Sequence, residues 1–351
     1  MNRRSAVPIW LALWLVLTGC LLPQGVLLLS PSGPTPTTAS PATVTETPFI
    51  PVPPTGTLPP SAYYTPTASP TPVDPWEDFP APVEMSAIEI PRPAEEIRFP
   101  TGVMNFVLLG SDARLNQGGY RTDTMMIVSL DPTASTVTML SIPRDLYVYV
   151  PGWRVDRINT AEPRGGFEML RQTVLYNFGI PLDHWARVNF QGFIAAVDTL
   201  GGIDVEVTGY MNDECGGTWY VFRPGTTRHM DGWTAHCYVR MRRSTGDFDR
   251  LRRQQEVIRA VFAKIVTLDG LSRVPELYSQ FSRMVDTDMT LEDALPYVPL
   301  AASVASGSGT LRSFAIDGTM AQGWRVPSSG ASVLLPNWEA IRAMLETAFG
   351  S

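Results

Sequence analysis

The chain has 351 residues, 27 basic against 34 acidic, for a formal net charge of −7, and 44% of it is hydrophobic. An acidic total excludes a general nucleic-acid binder, whose affinity rests on counterion release by a dominant positive field. Three histidines and three cysteines are too few and too scattered for a structural zinc site, and they leave little scope for a His-activated nucleophile.

The N-terminus carries Arg3 and Arg4 before an apolar run from Pro8 to Leu29, the pattern of an export segment with its charged end held in the cytoplasm. Within it Leu17-Thr-Gly-Cys20 fits a lipobox, which would place a diacylglycerol on Cys20. The run continues to Leu29, long enough for a spanning helix, and cleavage with release is a third outcome. All three put the rest of the chain outside the cytoplasm, with residues 1–30 as signal or membrane anchor. Residues 31–100 hold 19 prolines among many Thr and Ser, and no basic residue occurs between Arg4 and Arg92. That composition predicts a disordered, extended stalk.

From Thr101 the composition turns globular, and residues 101–351 suffice for one large domain. Short β-branched or apolar runs predict strands at 103–109, 125–130, 136–142 and 146–150. Helical spacing follows at 166–178 and 190–200, then a strand pair at 203–208 and 235–241. A long helix is expected over 248–268, with Val257, Ile258, Val261, Phe262 and Ile265 on its buried face. Beyond it the chain reads as helical with one strand at 311–316. The alternation predicts a three-layer α/β/α sandwich with a mixed central sheet.

Ligand sites in such sheets form at strand ends. The first strand runs into Gly110-Ser111-Asp112, and the second is preceded by Arg121-Thr122-Asp123. Asp112 and Asp123 are therefore expected to converge. Two carboxylates with few other ligands suit Mg²⁺, or Mn²⁺ in its place, with the remaining positions filled by water and substrate phosphate. Either aspartate taken alone could equally be a loop or helix cap. The third strand gives way abruptly to Arg144-Asp145, which alone could be an ordinary ion pair. Between Arg240 and Arg259 lie seven arginines against three acids. On a strand, Arg240 and Arg242 would share a face, and two guanidinium forks could hold adjacent phosphates of a diphosphate. Arg250 and Gln254, four apart, share a helix face. Arg243, Arg252 and Arg259 read as solvated positions.

Several motifs, in order, resemble the LytR-CpsA-Psr family: Phe106-Val-Leu-Leu-Gly-Ser-Asp112, Arg121-Thr-Asp-Thr124, Ser141-Ile-Pro-Arg-Asp145, Asp156-Arg-Ile-Asn159, Tyr238-Val-Arg-Met-Arg242 and Gly246-Asp-Phe-Asp-Arg-Leu-Arg-Arg-Gln254. The resemblance covers the core motifs, residues 103–268. It implies a phosphotransferase that moves a glycopolymer from an undecaprenyl-diphosphate donor to peptidoglycan. Asp112 and Asp123 would hold Mg²⁺, and Arg121, Arg144, Arg240 and Arg242 would grip the diphosphate, with Asp247, Arg250 and Gln254 completing the pocket. Asp145 or Asp247 would deprotonate the acceptor hydroxyl. The prenyl tail implies an apolar tunnel lined by residues such as Phe190, Phe193 and Val197. The family also suits a membrane-anchored chain. Polyprenyl-diphosphate hydrolysis is a second reading, and a non-catalytic binder of lipid-linked anionic glycans a third.

This chain departs from the family pattern at Asp249, which stands where glycine is usual, and at Thr160-Ala161-Glu162. The last eighty or so residues carry no recognised motif. Outside the cytoplasm, Cys215 and Cys237 are expected either to form a disulfide, pinning a loop beside Arg240, or to remain separate thiols.

Overall fold

The computed structural model describes residues 78–112, 122–267, 278–279 and 284–350. The expected anchor with Cys20, the stalk up to residue 77, and Arg121 all lie outside the described residues.

β1 (Met104–Ser111), β2 (Thr122–Asp131) and β3 (Thr136–Ser141) form an antiparallel meander. β4 (Tyr147–Val150) and β5 (Arg154–Arg157) pair as a separate hairpin. Helix α1 (Ala161–Phe178) leads to β6 (His184–Asn189), which lies parallel to β1. Then come α2 (Phe190–Thr199), β7 (Ile203–Val207), β8 (Met211–Cys215), β9 (Thr218–Phe222), β10 (Thr226–Met230), α3 (Gly232–Arg240) and α4 (Gly246–Thr267). β11 (Val285–Thr287) and β12 (Thr310–Ala315) complete a six-stranded sheet of order β11-β6-β1-β2-β3-β12, with parallel and antiparallel pairs. β13 (Ala321–Arg325) and β14 (Ser332–Pro336) make a hairpin before the last helix, Trp338–Phe349.

The three layers follow from the pleat, which sends alternate side chains to opposite faces. Val107 and Leu109 of β1 join Met125, Ile127 and Leu140 in a core beneath α1 and the C-terminal helix. Phe106 and Leu108 face the other way, toward Met126, Val128 and Met139, where Ile258 of α4 and Leu300 cover them. Both faces of the central strands are thus buried, as an α/β/α sandwich requires.

Three expectations need correction. Residues 78–100, assigned by composition to the stalk, pack on the domain. The Ala94 and Ile97 amides bond to the Tyr176 and Gly179 carbonyls, and Phe79 meets the Tyr176 ring edge-on. Proline content hid the apolar residues (Phe79, Ile88, Ile90) that anchor this segment. Second, 235–240 is helical and Met241 lies just past the helix end: Asp231 caps α3 by accepting from the Thr234 amide, and β7 pairs with β10 instead. Ala235, His236, Cys237 and Tyr238 are all buried, so no strand alternation exists there. Third, residues beyond 271 supply three strands besides β12; each is three to five residues long, too short for periodicity to register.

Candidate functional site

The site forms where β1 ends and β2 begins. Ser111 pairs with Thr122, with a register irregularity at Gly110/Ser111, so Asp112 and Asp123 occupy neighbouring strand ends. Gly110 has a local reason: a Cβ there would sit 2.8 Å from Cβ of Thr124. Its absence lets the Thr124 hydroxyl accept from Gln254 Nε2 at 2.8 Å, tying α4 to β2.

Beyond β3, Pro143 directs Arg144 back across the strand ends, where its Nη1 lies 2.5 Å from Asp123 Oδ1. Its Nε donates to Asp145 at 3.3 Å, and Arg157 approaches the other Asp145 oxygen at 3.7 Å. Burial alone would lower the Arg144 guanidinium, but Asp123, Asp145 and Asp247 outweigh it and hold the group above its ordinary value. From the opposite side α4 contributes Arg250, 6% exposed, whose Nη1 is 3.6 Å from Asp247. Asp247 also accepts from Arg242 at 3.2 Å. Burial pushes Arg250 below its usual range; Asp247 and Asp123 oppose that shift, and Arg144 and Arg242 reinforce it. Arg250 Nε and Gln254 Oε1 are buried with no hydrogen-bond partner among the described residues. A buried cation pressed by two others is the electrostatic condition of an anion site.

Asp123, Arg144, Asp145, Arg242, Asp247, Arg250 and Gln254 are therefore gathered together, as the sequence pattern anticipated. Arg240 and Arg242 are not on one strand face. Arg240 ends α3 and lies over the Phe190 ring, 4.3 Å from its centroid, while Arg242 falls in the turn toward α4. Asp249 pairs with Arg252 and Arg253. Burial would raise its carboxyl, but Arg252 and Arg253 hold it below the usual carboxylate value. Arg252 is not a solvated position either, since it pairs with Asp249 and Glu256. Glu162 is buried and bonded to Arg187 at 2.7 Å.

Arg253 was not anticipated. Its side chain is fully buried and donates to the Tyr238 and Met241 carbonyls, to Thr245 Oγ1 and to Asp249. These bonds fix the α3–α4 turn that carries Arg242. The Asp249–Arg253 spacing of four was the available signal. Asp213 of β8 steadies the same turn by accepting from the Arg243 amide at 2.9 Å. Cys215 and Cys237 form a disulfide with Cα atoms 5.8 Å apart, joining β8 to α3 rather than to a strand.

An apolar pocket of about 80 Å³ adjoins the polar cluster; Thr124 and Gln254 are among its lining residues, with Phe190, Phe193, Val239 and Val257. A second, of about 260 Å³, shares Leu108 and Ile258 with the first and reaches Met104 and Tyr297 along the same sheet face. Val197, expected in the lining, instead packs in the core formed with β7 and α3.

Fold and site together define an α/β protein with a basic, carboxylate-flanked site opening on an apolar cavity. The chain belongs to the LytR_cpsA_psr family, whose model matches residues 84–346, including the C-terminal region that carried no recognised motif. It is 34% identical over 197 residues to the "Polyisoprenyl-teichoic acid--peptidoglycan teichoic acid transferase TagU" of Oceanobacillus iheyensis, covering 54% of this chain and 60% of that protein. A protein of the same name from Enterococcus faecalis is 30% identical over 213 residues, 60% of this chain and 67% of the relative. The chain thus spans about 60% of the length of the first of these relatives. Among solved structures, B. subtilis TagV aligns with a TM-score of 0.59 at 26% identity, over 72% of this chain and 98% of TagV. TagT bound to LI-WTA aligns at 0.55 and 25% identity, over 75% and 100%.

Proposed function

We propose that this protein transfers a phosphorylated glycopolymer from undecaprenyl diphosphate to peptidoglycan, forming a phosphodiester in the cell wall. The carrying observation is the buried Arg250, crowded by Arg144 and Arg242, where Gln254 meets an apolar pocket. A ligand that satisfies both halves has a multiply charged phosphate head and a long hydrocarbon tail. The names of the TagU relatives support the same substrate class.

In this reading an acceptor hydroxyl attacks the glycan-side phosphorus, the bridging P–O bond breaks, and undecaprenyl phosphate departs. Such a transfer depends on positioning and charge neutralisation rather than on a covalent nucleophile. Arg144, Arg242 and Arg250, with Arg121 and Arg240, grip the diphosphate. Asp247, more exposed than Asp145, takes the hydroxyl proton. Asp112 and Asp123 offer hard oxygen donors at adjoining strand ends. Among the described residues no group of three or more His, Cys, Asp or Glu could hold a metal, so a cation here would draw its other ligands from water and substrate. That set fits Mg²⁺ or Mn²⁺, which when bound would neutralise diphosphate charge. The N-terminal segment would anchor the protein to the membrane with this domain outside the cytoplasm.

The test is to incubate the full chain in detergent with Mg²⁺, an undecaprenyl-diphosphate-linked glycan and peptidoglycan. Glycan joined to peptidoglycan is the expected product. Release of free phosphorylated glycan would mark a hydrolase, and unchanged but bound lipid would mark a binder.

A further inference from the structure

We infer that His236 is a positioning residue that holds the Arg240 guanidinium against the Phe190 ring, beside the apolar pocket. The inference rests on the proposed function for what Arg240 touches, but the seat itself is structural. His236 Nε2 lies 3.5 Å from Arg240 Nη1. The imidazole meets the Phe190 ring edge-on at 5.0 Å, and Trp233 lies at 5.4 Å on a tilted plane. Arg240 in turn lies 4.3 Å above Phe190, which lines the pocket together with Gln254.

Three features point away from a merely space-filling histidine. A guanidinium can only donate, so Nε2 must be the acceptor and the ring proton must sit on Nδ1. Nδ1 is buried with no hydrogen-bond partner among the described residues. An apolar side chain of similar shape would remove that unsatisfied donor, so packing alone does not account for a histidine here. Burial, and then the charge of Arg240, lower the imidazole to about 4, which leaves its lone pair free to accept at neutral pH.

The seat is also braced by the elements that carry it. Cys237, the next residue, is tied to Cys215, and Asn189 caps the helix that begins with Phe190 by accepting from the Gly192 amide at 2.8 Å. At Gly232 the two helices approach so closely that a Cβ would lie 2.3 Å from the Ile194 carbonyl oxygen. An exposed arginine is thereby seated against a buried neighbour. Its consequence for the reaction is in binding the lipid-linked phosphate rather than in the chemical step.

The test uses the full chain in detergent with Mg²⁺, a farnesyl-diphosphate-linked N-acetylglucosamine and a peptidoglycan acceptor, measuring KM for the lipid substrate and kcat of transfer. His236→Leu should raise KM about tenfold and change kcat less than about twofold, the signature of lost uniform binding. His236→Gln, whose terminal oxygen stands near the Nε2 position, should restore KM to within about threefold of wild type. In an Arg240→Ala background, His236→Leu should add nothing, because its partner is gone. A folded His236→Leu protein with wild-type KM, or an additive double variant, overturns the inference. If Leu at position 236 prevents folding, His236→Asn carries the same test, since its shorter amide falls short of Arg240: the same KM rise is expected, and an unchanged KM overturns the inference. A wild-type protein that leaves the lipid substrate untouched would instead defeat the proposed function.

Discussion

Arg144 and Asp123 meet at 2.5 Å across the ends of β3 and β2, although 21 residues separate them in the chain. The pair is largely sheltered, at 13% and 26% side-chain exposure, and Asp123 is also one of the two proposed metal carboxylates. Arg144 is therefore placed by the same acid that would hold the cation. Asp123→Ala and Arg144→Ala are each expected to lower kcat/KM by about 10²–10³-fold, the scale of losing one preorganised charge contact. Arg144→Lys should recover little, because an ammonium cannot reproduce the two-pronged contact to Asp123 and Asp145. Single-turnover transfer with lipid-linked glycan measures all three.

Arg253→Met should cost about 3–4 kcal/mol of stability. The change leaves the Tyr238 and Met241 carbonyls and Asp249 without their shared donor, inside a region that excludes water. Urea denaturation of the wild-type and variant chains reads this directly. A loss under about 1 kcal/mol would show that the turn holds without it.

Gly110→Ala should reduce activity more than its size suggests. The added Cβ meets Thr124 at 2.8 Å, and that residue holds the Gln254 side chain at the pocket. Overpacking of this kind costs about 1–3 kcal/mol. Activity should fall further than melting temperature alone explains, because a displaced Thr124 hydroxyl no longer holds Gln254.

Acidification should destabilise the domain through His236. Its folded value of about 4 lies below the unfolded 6.5, so the unfolded chain binds more protons between those limits. Stability from this group is therefore complete above pH 6.5 and declines as pH falls toward 4, by about 2–3 kcal/mol in all. Melting temperatures from pH 7 to pH 4.5 should drop less in His236→Leu than in wild type. Parallel curves would exclude this source.

Chelation should abolish transfer, and Mg²⁺ or Mn²⁺ should restore it if Asp112 and Asp123 carry the cation. Asp112→Asn should raise the Mg²⁺ concentration needed for half-maximal activity about tenfold while leaving the melting temperature of the apo protein within a degree or two. A variant with unchanged Mg²⁺ dependence would remove Asp112 from the ligand set.

Local pattern carried a large share of this outcome. The β1, β2 and β3 runs are legible because each is dense in β-branched and apolar residues, and α4 because Val257 and Ile258 recur at helical spacing with Arg250 and Gln254. Reading α3 as a strand failed for a definite reason. Four successive buried residues, Ala235 to Tyr238, contain neither period, and only the packing of α3 among α2, β10 and α4 decides the outcome. The stalk reading failed past residue 77 because proline-rich composition does not reveal that Phe79 has an aromatic partner 97 residues away in Tyr176.

The order of charged residues at strand ends, an arginine surplus between 240 and 259, and a chain of family motifs were all determined by the sequence itself, since chemistry at strand ends needs particular side chains at particular spacings. Tertiary structure decided which of those arginines act together. Arg250 and Arg242 converge on Asp247, Arg252 and Arg253 are taken up by Asp249, and Arg240 lies over Phe190 and near His236, beside the apolar pocket. Identical side chains a few residues apart differ only in what surrounds them, and burial and neighbouring charge exist only once the chain is folded.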